Sequence, residues 1–153
     1  MRNKKEIGEN RREHMRVDSR LHFCISVVEG IDEEAGKYIY GSCFCTLTED
    51  ISLGGICIHH GGKLNEGDSV EISTPQKMKR AECLTCEDSY MFTNNLDLLP
   101  IFGKVLWIRG SKCGIEFRNL SRRNENVLSK FIWDEHLDGI RDNKKKDVVH
   151  KKF

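Results

Sequence analysis

The 153 residues leave room for one ordinary domain with a short extension at each end, and 38% hydrophobic against 32% charged residues excludes a wholly disordered chain. Lys and Arg number 25 against 24 Asp and Glu, so no global field draws the protein to nucleic acid or to a membrane surface, and any anion preference must be local. Residues 1–16 lack an apolar signal core, no stretch approaches the roughly 18 apolar residues of a membrane span, and seven cysteines without a secretion signal point to reduced thiols, so a soluble cytoplasmic protein is expected.

Residues 1–11 are polar and basic without a period and read as a flexible leader. Arg12 and Arg16 follow, four residues apart, just before the first strand-like run; alone, such a pair is a solvated charged stretch. Val17 to Val28 alternates as one half-buried strand, with Leu21, Phe23, Ile25 and Val27 on one face and His22, Cys24 and Ser26 on the other. Glu29 to Gly36 reads as a hairpin connection, and Lys37 to Leu47 as a second strand carrying Tyr38, Tyr40, Cys43, Cys45 and Leu47, with a bulge near Gly41. That alternation sends Cys43 and Cys45 toward the core. Ile56 to His60 is a short third strand, 61–68 a turn-rich loop, and Ser69 to Ser73 a fourth strand stopped by Pro75.

Residues 76–100 read as an insertion, with a possible strand extension over 78–86 followed by loop signals at Asn94, Asn95 and Pro100. Gly103 to Ile108 and Lys112 to Phe117 form a hairpin about Arg109-Gly110-Ser111, with Val105, Trp107, Ile115 and Phe117 offered to one core face. The period then changes. Ser121 is a candidate N-cap for a helix whose apolar face is Val127, Leu128, Phe131 and Ile132; Trp133, Leu137 and Ile140 fall on another side, so the helix is either covered on two faces or ends near Asp134. Residues 141–153, with three consecutive lysines, read as a frayed basic tail, and the domain proper is expected over 12–140. Short strands in succession predict an antiparallel sandwich or barrel.

Chemistry concentrates in Asp50-Ile51-Ser52-Leu53-Gly54-Gly55. Asp and Ser can bond local amides or a ligand's donors, and the glycines allow a close backbone approach. Taken alone the turn is a weak signal, since most such turns only cap themselves.

Arg12-x-x-x-Arg16, Asp50-x-Ser52-x-x-Gly55, Gly103-x-Val105-x-Trp107 and Gly114-Ile115-x-Phe117, in this order and ahead of a helix, resemble the PilZ domain. The resemblance runs from about Arg11 to Leu137. It implies an all-β fold, a six-stranded antiparallel barrel with a C-terminal helix, and a bacterial receptor for cyclic di-GMP. Arg12 and Arg16 would meet phosphate oxygens and guanine edges through planar guanidinium forks, with Arg11 adding a phosphate contact. The Asp50 carboxylate would accept from guanine N1 and N2, Ser52 would bond a base or phosphate oxygen, and Gly54 and Gly55 would let the backbone come close. The implied protein is no enzyme and needs no cofactor beyond its ligand. It signals to an unidentified protein target in motility, biofilm or exopolysaccharide control, without nucleic acid or membrane insertion.

Two other readings compete. One keeps the fold as a protein-interaction module without nucleotide. The other is a metal or redox site, for which Cys83-x-x-Cys86, Cys43-x-Cys45 and Cys57-x-His59-His60 offer soft ligands; a second C-x-x-C is missing, and Cys43 and Cys45 are expected to be core residues. The six histidines have no evident nucleophile partner.

Overall fold

The computed structural model describes residues 15–74 and 96–151, with side chains as far as Arg141. Seven strands and one helix follow in order: β1 Val17–Asp18, β2 His22–Asp32, β3 Lys37–Ile51, β4 Gly55–His59, β5 Ser69–Ser73, β6 Ile101–Arg109, β7 Lys112–Arg118 and α1 Arg122–Lys151. Around the sheet the order is β3-β2-β5-β6-β7-β4, and β4 pairs back onto β3, which closes a six-stranded antiparallel barrel; β1 adds a seventh strand beside the end of β3. Closure leaves none of the six barrel strands with an open edge over its whole length.

The expected single strand from Val17 to Val28 is two. The register runs Val17↔Ile51 and Asp18↔Asp50, then resumes at His22↔Leu47, so the first chain has one residue more than β3 over this interval. The extra residue breaks the ladder at 19–21, while Ser19 N–H still donates to Glu49 O (3.0 Å) and Thr48 N–H to Leu21 O (2.9 Å). The hairpin connection is also shorter than expected. β2 continues to Asp32, and the reversal is confined to 33–36, ending on Gly36 at φ 63°.

A bulge lies where Gly41 predicted it: Ser26 faces Cys43 and Val28 faces Tyr40, so Gly41 and Ser42 oppose Val27 alone. Beyond it the side that faces inward is not the one alternation suggested. Phe44 is buried in the core, whereas Cys43 and Cys45 are half-buried on the opposite face and Leu47 is exposed. A bulky phenyl ring takes the interior position in preference to two small thiols, which overturns the expectation that Cys43 and Cys45 line the core. β3 also runs on past Leu47 to Ile51, because β4 and β1 supply hydrogen-bonding partners along both of its edges where local propensity is weak.

Inside the barrel Phe23, Ile25, Phe44, Ile51, Ile56, Ile58, Val70, Ile72, Ile101, Val105 and Ile115 make one cluster, joined by Leu64, Leu98 and the helix residues Leu128 and Ile132. The helix starts as expected: Asn124 N–H donates to Ser121 Oγ at 3.1 Å. Asn124, which stands where a capping box would have Glu or Gln, is buried and clasps the chain before β6, accepting from Leu99 N–H (2.9 Å) and donating to Leu99 O (3.0 Å). The helix neither ends near Asp134 nor is covered on two faces. It runs to Lys151, through the segment expected as a basic tail, and Trp133 and Ile140 are exposed.

Candidate functional site

The predicted turn is the tip of the β3–β4 hairpin. Asp50 and Ile51 are the last residues of β3, and Gly55 is the first of β4. Ser52 N–H donates to Gly55 O (2.9 Å), Gly54 N–H donates to Ser52 Oγ (3.1 Å), and Phe117 N–H of β7 donates to Gly54 O (2.9 Å). The Ser52 hydroxyl therefore shapes its own turn, and its O–H can still donate. Gly55 is needed for packing: a Cβ there would stand 2.1 Å from Ile115 O, so β7 occupies the space any side chain would take.

β1 brings the first half of the motif to this tip. Asp18 pairs with Asp50 and Val17 with Ile51, so continuing the antiparallel register one residue back sets Arg16 opposite Ser52. Arg16 is exposed, and its positive charge acts on the half-buried Asp50. Burial pushes the Asp50 carboxyl above its ordinary range; Arg16 and Lys112 oppose the rise, and Asp18 and Glu49 add to it. Arg16, Asp50 and Ser52 are thus brought to one corner. Arg11 and Arg12 lie outside the described residues.

Of four neighbours, Glu49, Lys112 and Asp18 carried no sequence signal, and His59 was offered only as a soft metal ligand. Glu49 is the bulged residue of β3 against β4, since Thr48 faces Ile58 and Asp50 faces Cys57. It meets His59 Nε2 at 2.5 Å and Lys112 Nζ at 3.6 Å, and the His59 hydrogen bond, followed by the Lys112 charge, holds its carboxyl below the usual range. Asp18, Glu49 and His59, with Arg20, Leu47 and Glu135, line a cleft of about 570 Å³ beside the tip. The register of β1, β3, β4 and β7 brings Asp18, Glu49, His59 and Lys112 together, and the helix adds Glu135.

Among the described residues no group of three or more His, Cys, Asp or Glu side chains could hold a metal ion, and Cys83 and Cys86 lie outside them. No helix among the described residues is long and apolar enough to cross a membrane.

A small closed barrel with a C-terminal helix and a polar corner at one hairpin tip defines the class of domain. The family model for the PilZ domain matches residues 10–133, and the chain belongs to that family. No curated protein matches it. Among solved structures it is similar to the PilZ domain with c-di-GMP of YcgR from Escherichia coli, at 16% identity and a TM-score of 0.50, over 88% of this chain and 98% of that one. It is likewise similar to the Bacillus subtilis inhibitor of motility MotI/DgrA, at 18% identity and a TM-score of 0.50, over 83% of this chain but 52% of that one. The PilZ domain of CeSA from a cellulose-synthesizing bacterium aligns at 11% identity and a TM-score of 0.47, over 78% of this chain and 96% of that one. At these identities the likeness is one of fold.

Proposed function

We propose that this PilZ domain is a receptor for cyclic di-GMP, bound between the arginines ahead of β1 and the Asp50–Gly55 hairpin tip. The pairing of β1 with the end of β3, together with the Arg16 charge acting on Asp50, is the observation that supports the reading. The YcgR domain, whose structure contains c-di-GMP, shares the fold and supports it. The chemistry is complementary. Guanidinium groups suit the two phosphates and the O6/N7 edge of guanine, while a carboxylate suits its N1 and N2 donors. Asp18, Glu49 and Asp50 make the described part of the corner rich in carboxylates, so a dianionic ligand needs cations beyond Arg16 and Lys112; Arg12, with Arg11 beside it, would supply them. Engaging the leader and the hairpin together would change the surface offered to a protein target, and the role is regulatory rather than catalytic.

Calorimetric titration with cyclic di-GMP tests this. Saturable binding is expected for the wild type, with Arg12→Ala and Arg16→Ala each weaker by at least about 2–3 kcal/mol as charge-assisted hydrogen bonds are lost. Wild-type affinity in either variant would remove that arginine from the site. Absence of binding by the folded wild type would leave the fold as a protein-interaction module alone.

A further inference from the structure

The outer face of the β2–β3 hairpin carries a thiol arrangement that the ligand site does not use. Cys24 and Cys45 are directly opposed in the antiparallel register, and their Sγ atoms are 3.1 Å apart. Opposed residues in an antiparallel pair have Cα atoms about 4.5–5.5 Å apart, inside the roughly 4.4–6.8 Å range that a disulfide spans. The next opposed pair on this face is Ser26 and Cys43, where the Ser26 hydroxyl donates to Cys43 Sγ at 3.4 Å. Cys24 is fully buried and Cys45 half-buried, so Cys45 is the more accessible member of the pair.

We propose that Cys24 and Cys45 form a hydroperoxide-oxidisable thiol pair, a modification site that reversibly cross-links β2 to β3. The Cys45 thiolate attacks the peroxide's terminal oxygen, the O–O bond breaks, and Cys45 becomes a sulfenic acid as hydroxide departs and is protonated to water. Cys24 sulfur then attacks the sulfenic sulfur, the S–O bond breaks, and a second water leaves, carrying the Cys24 proton. Two thiols are oxidised to one disulfide and one peroxide is reduced to two waters. A small thiol such as glutathione reverses the change by exchange. Cys57 and Cys113 on β4 and β7 are an internal contrast. They are not opposed to each other, and burial pushes both thiols up, Cys113 to about 12.

The test uses the full chain, folded and reduced, exposed to hydrogen peroxide, quenched into denaturant with an alkylating agent and digested with trypsin. Mass spectrometry is expected to find peptide 21–37, which carries Cys24, joined to peptide 38–63 through Cys45, with the loss of two hydrogen atoms, while Cys113 is fully alkylated. The cross-link is expected to disappear in Cys45→Ser, to persist in Cys43→Ser, and to persist in the Cys83→Ser/Cys86→Ser double variant. Full alkylation of Cys24 in the peroxide-treated wild type would overturn the proposal without reference to any variant. So would a Cys24 cross-link undiminished in Cys45→Ser, or one that requires Cys83 or Cys86.

Discussion

Two regions of the same barrel use their residues in opposite ways. Where β6, β7 and β4 meet, glycines make room: a Cβ on Gly114 would stand 2.2 Å from Trp107 Nε1, one on Gly103 would stand 2.6 Å from Ile115 Cγ2, and one on Gly55 would run into the β7 backbone. Arg109 covers the outer side of the Trp107 ring at 5.1 Å. The packing there is close, and the charges of Lys104, Arg109, Glu116 and Arg118 lie on residues that are exposed or half-buried. At the β1–β3–β4 corner, a half-buried carboxyl sits among two others, and burial is the largest influence on it. The first region supplies stability. The second gives some of it up by holding the Asp50 carboxyl partly buried among like charges.

Substitutions can break or sharpen this contrast. The largest effect is expected at Gly55, which belongs to both regions. Gly55→Val puts side-chain atoms into Ile115 O, and β4 must leave β7; a loss of more than about 3 kcal/mol is expected in urea denaturation, with failure to fold as the extreme. A near-neutral result would show that the close approach of the two strands carries no weight. At Gly114 the obstacle is an indole that can swing outward. Gly114→Ala should cost about 1–3 kcal/mol and change the near-UV circular dichroism of Trp107, and an unchanged tryptophan signal would argue against the stacking.

The smallest and most informative effect is expected at Asp50, with the opposite sign. Its carboxyl is raised in the folded state, so the ionised form is disfavoured by folding. The penalty is absent at pH well below the ordinary value of 3.8 and is fully present above the raised value. Asp50→Asn should therefore stabilise the ligand-free protein at neutral pH, by less than about 1 kcal/mol for a partly solvated group, and the gain should shrink as pH falls through the raised value and vanish below 3.8. Thermal melts of both proteins across pH 3–8 would show it; a gain that is independent of pH would place the cause elsewhere.

Much of this was legible in the residues. The strand over 69–73, the hairpin about Gly110-Ser111, the bulge at Gly41 and the Ser121 cap each depend on a few adjacent residues, and the structure has all of them. Gly110, at φ 61°, supplies the left-handed conformation that a two-residue hairpin turn needs at its first position. Of the candidate site, the motif positions were legible and their neighbours were not. Glu49, His59, Lys112 and Asp18 become neighbours only through pairings that span many residues. Cys43 and Cys45 were assigned to the wrong face although the bulge at Gly41 was foreseen, because the competition between Phe44 and two thiols for the interior is decided across the barrel.

By itself the sequence determined where most of the strands lie, though not their ends, and also the tight turn at Gly110, where the helix begins and which family pattern is present, because backbone preference, side-chain period and capping act over a few residues. Tertiary structure decided the rest: that β4 closes onto β3, that β1 pairs with the end of β3 and so brings the Arg16 charge to bear on Asp50, that Gly55 makes room for β7, and that Cys24 lies against Cys45. These are matters of register and facing. They are fixed when hydrogen-bond ladders and core volume are satisfied around the whole barrel at once, and no short window of sequence contains that condition.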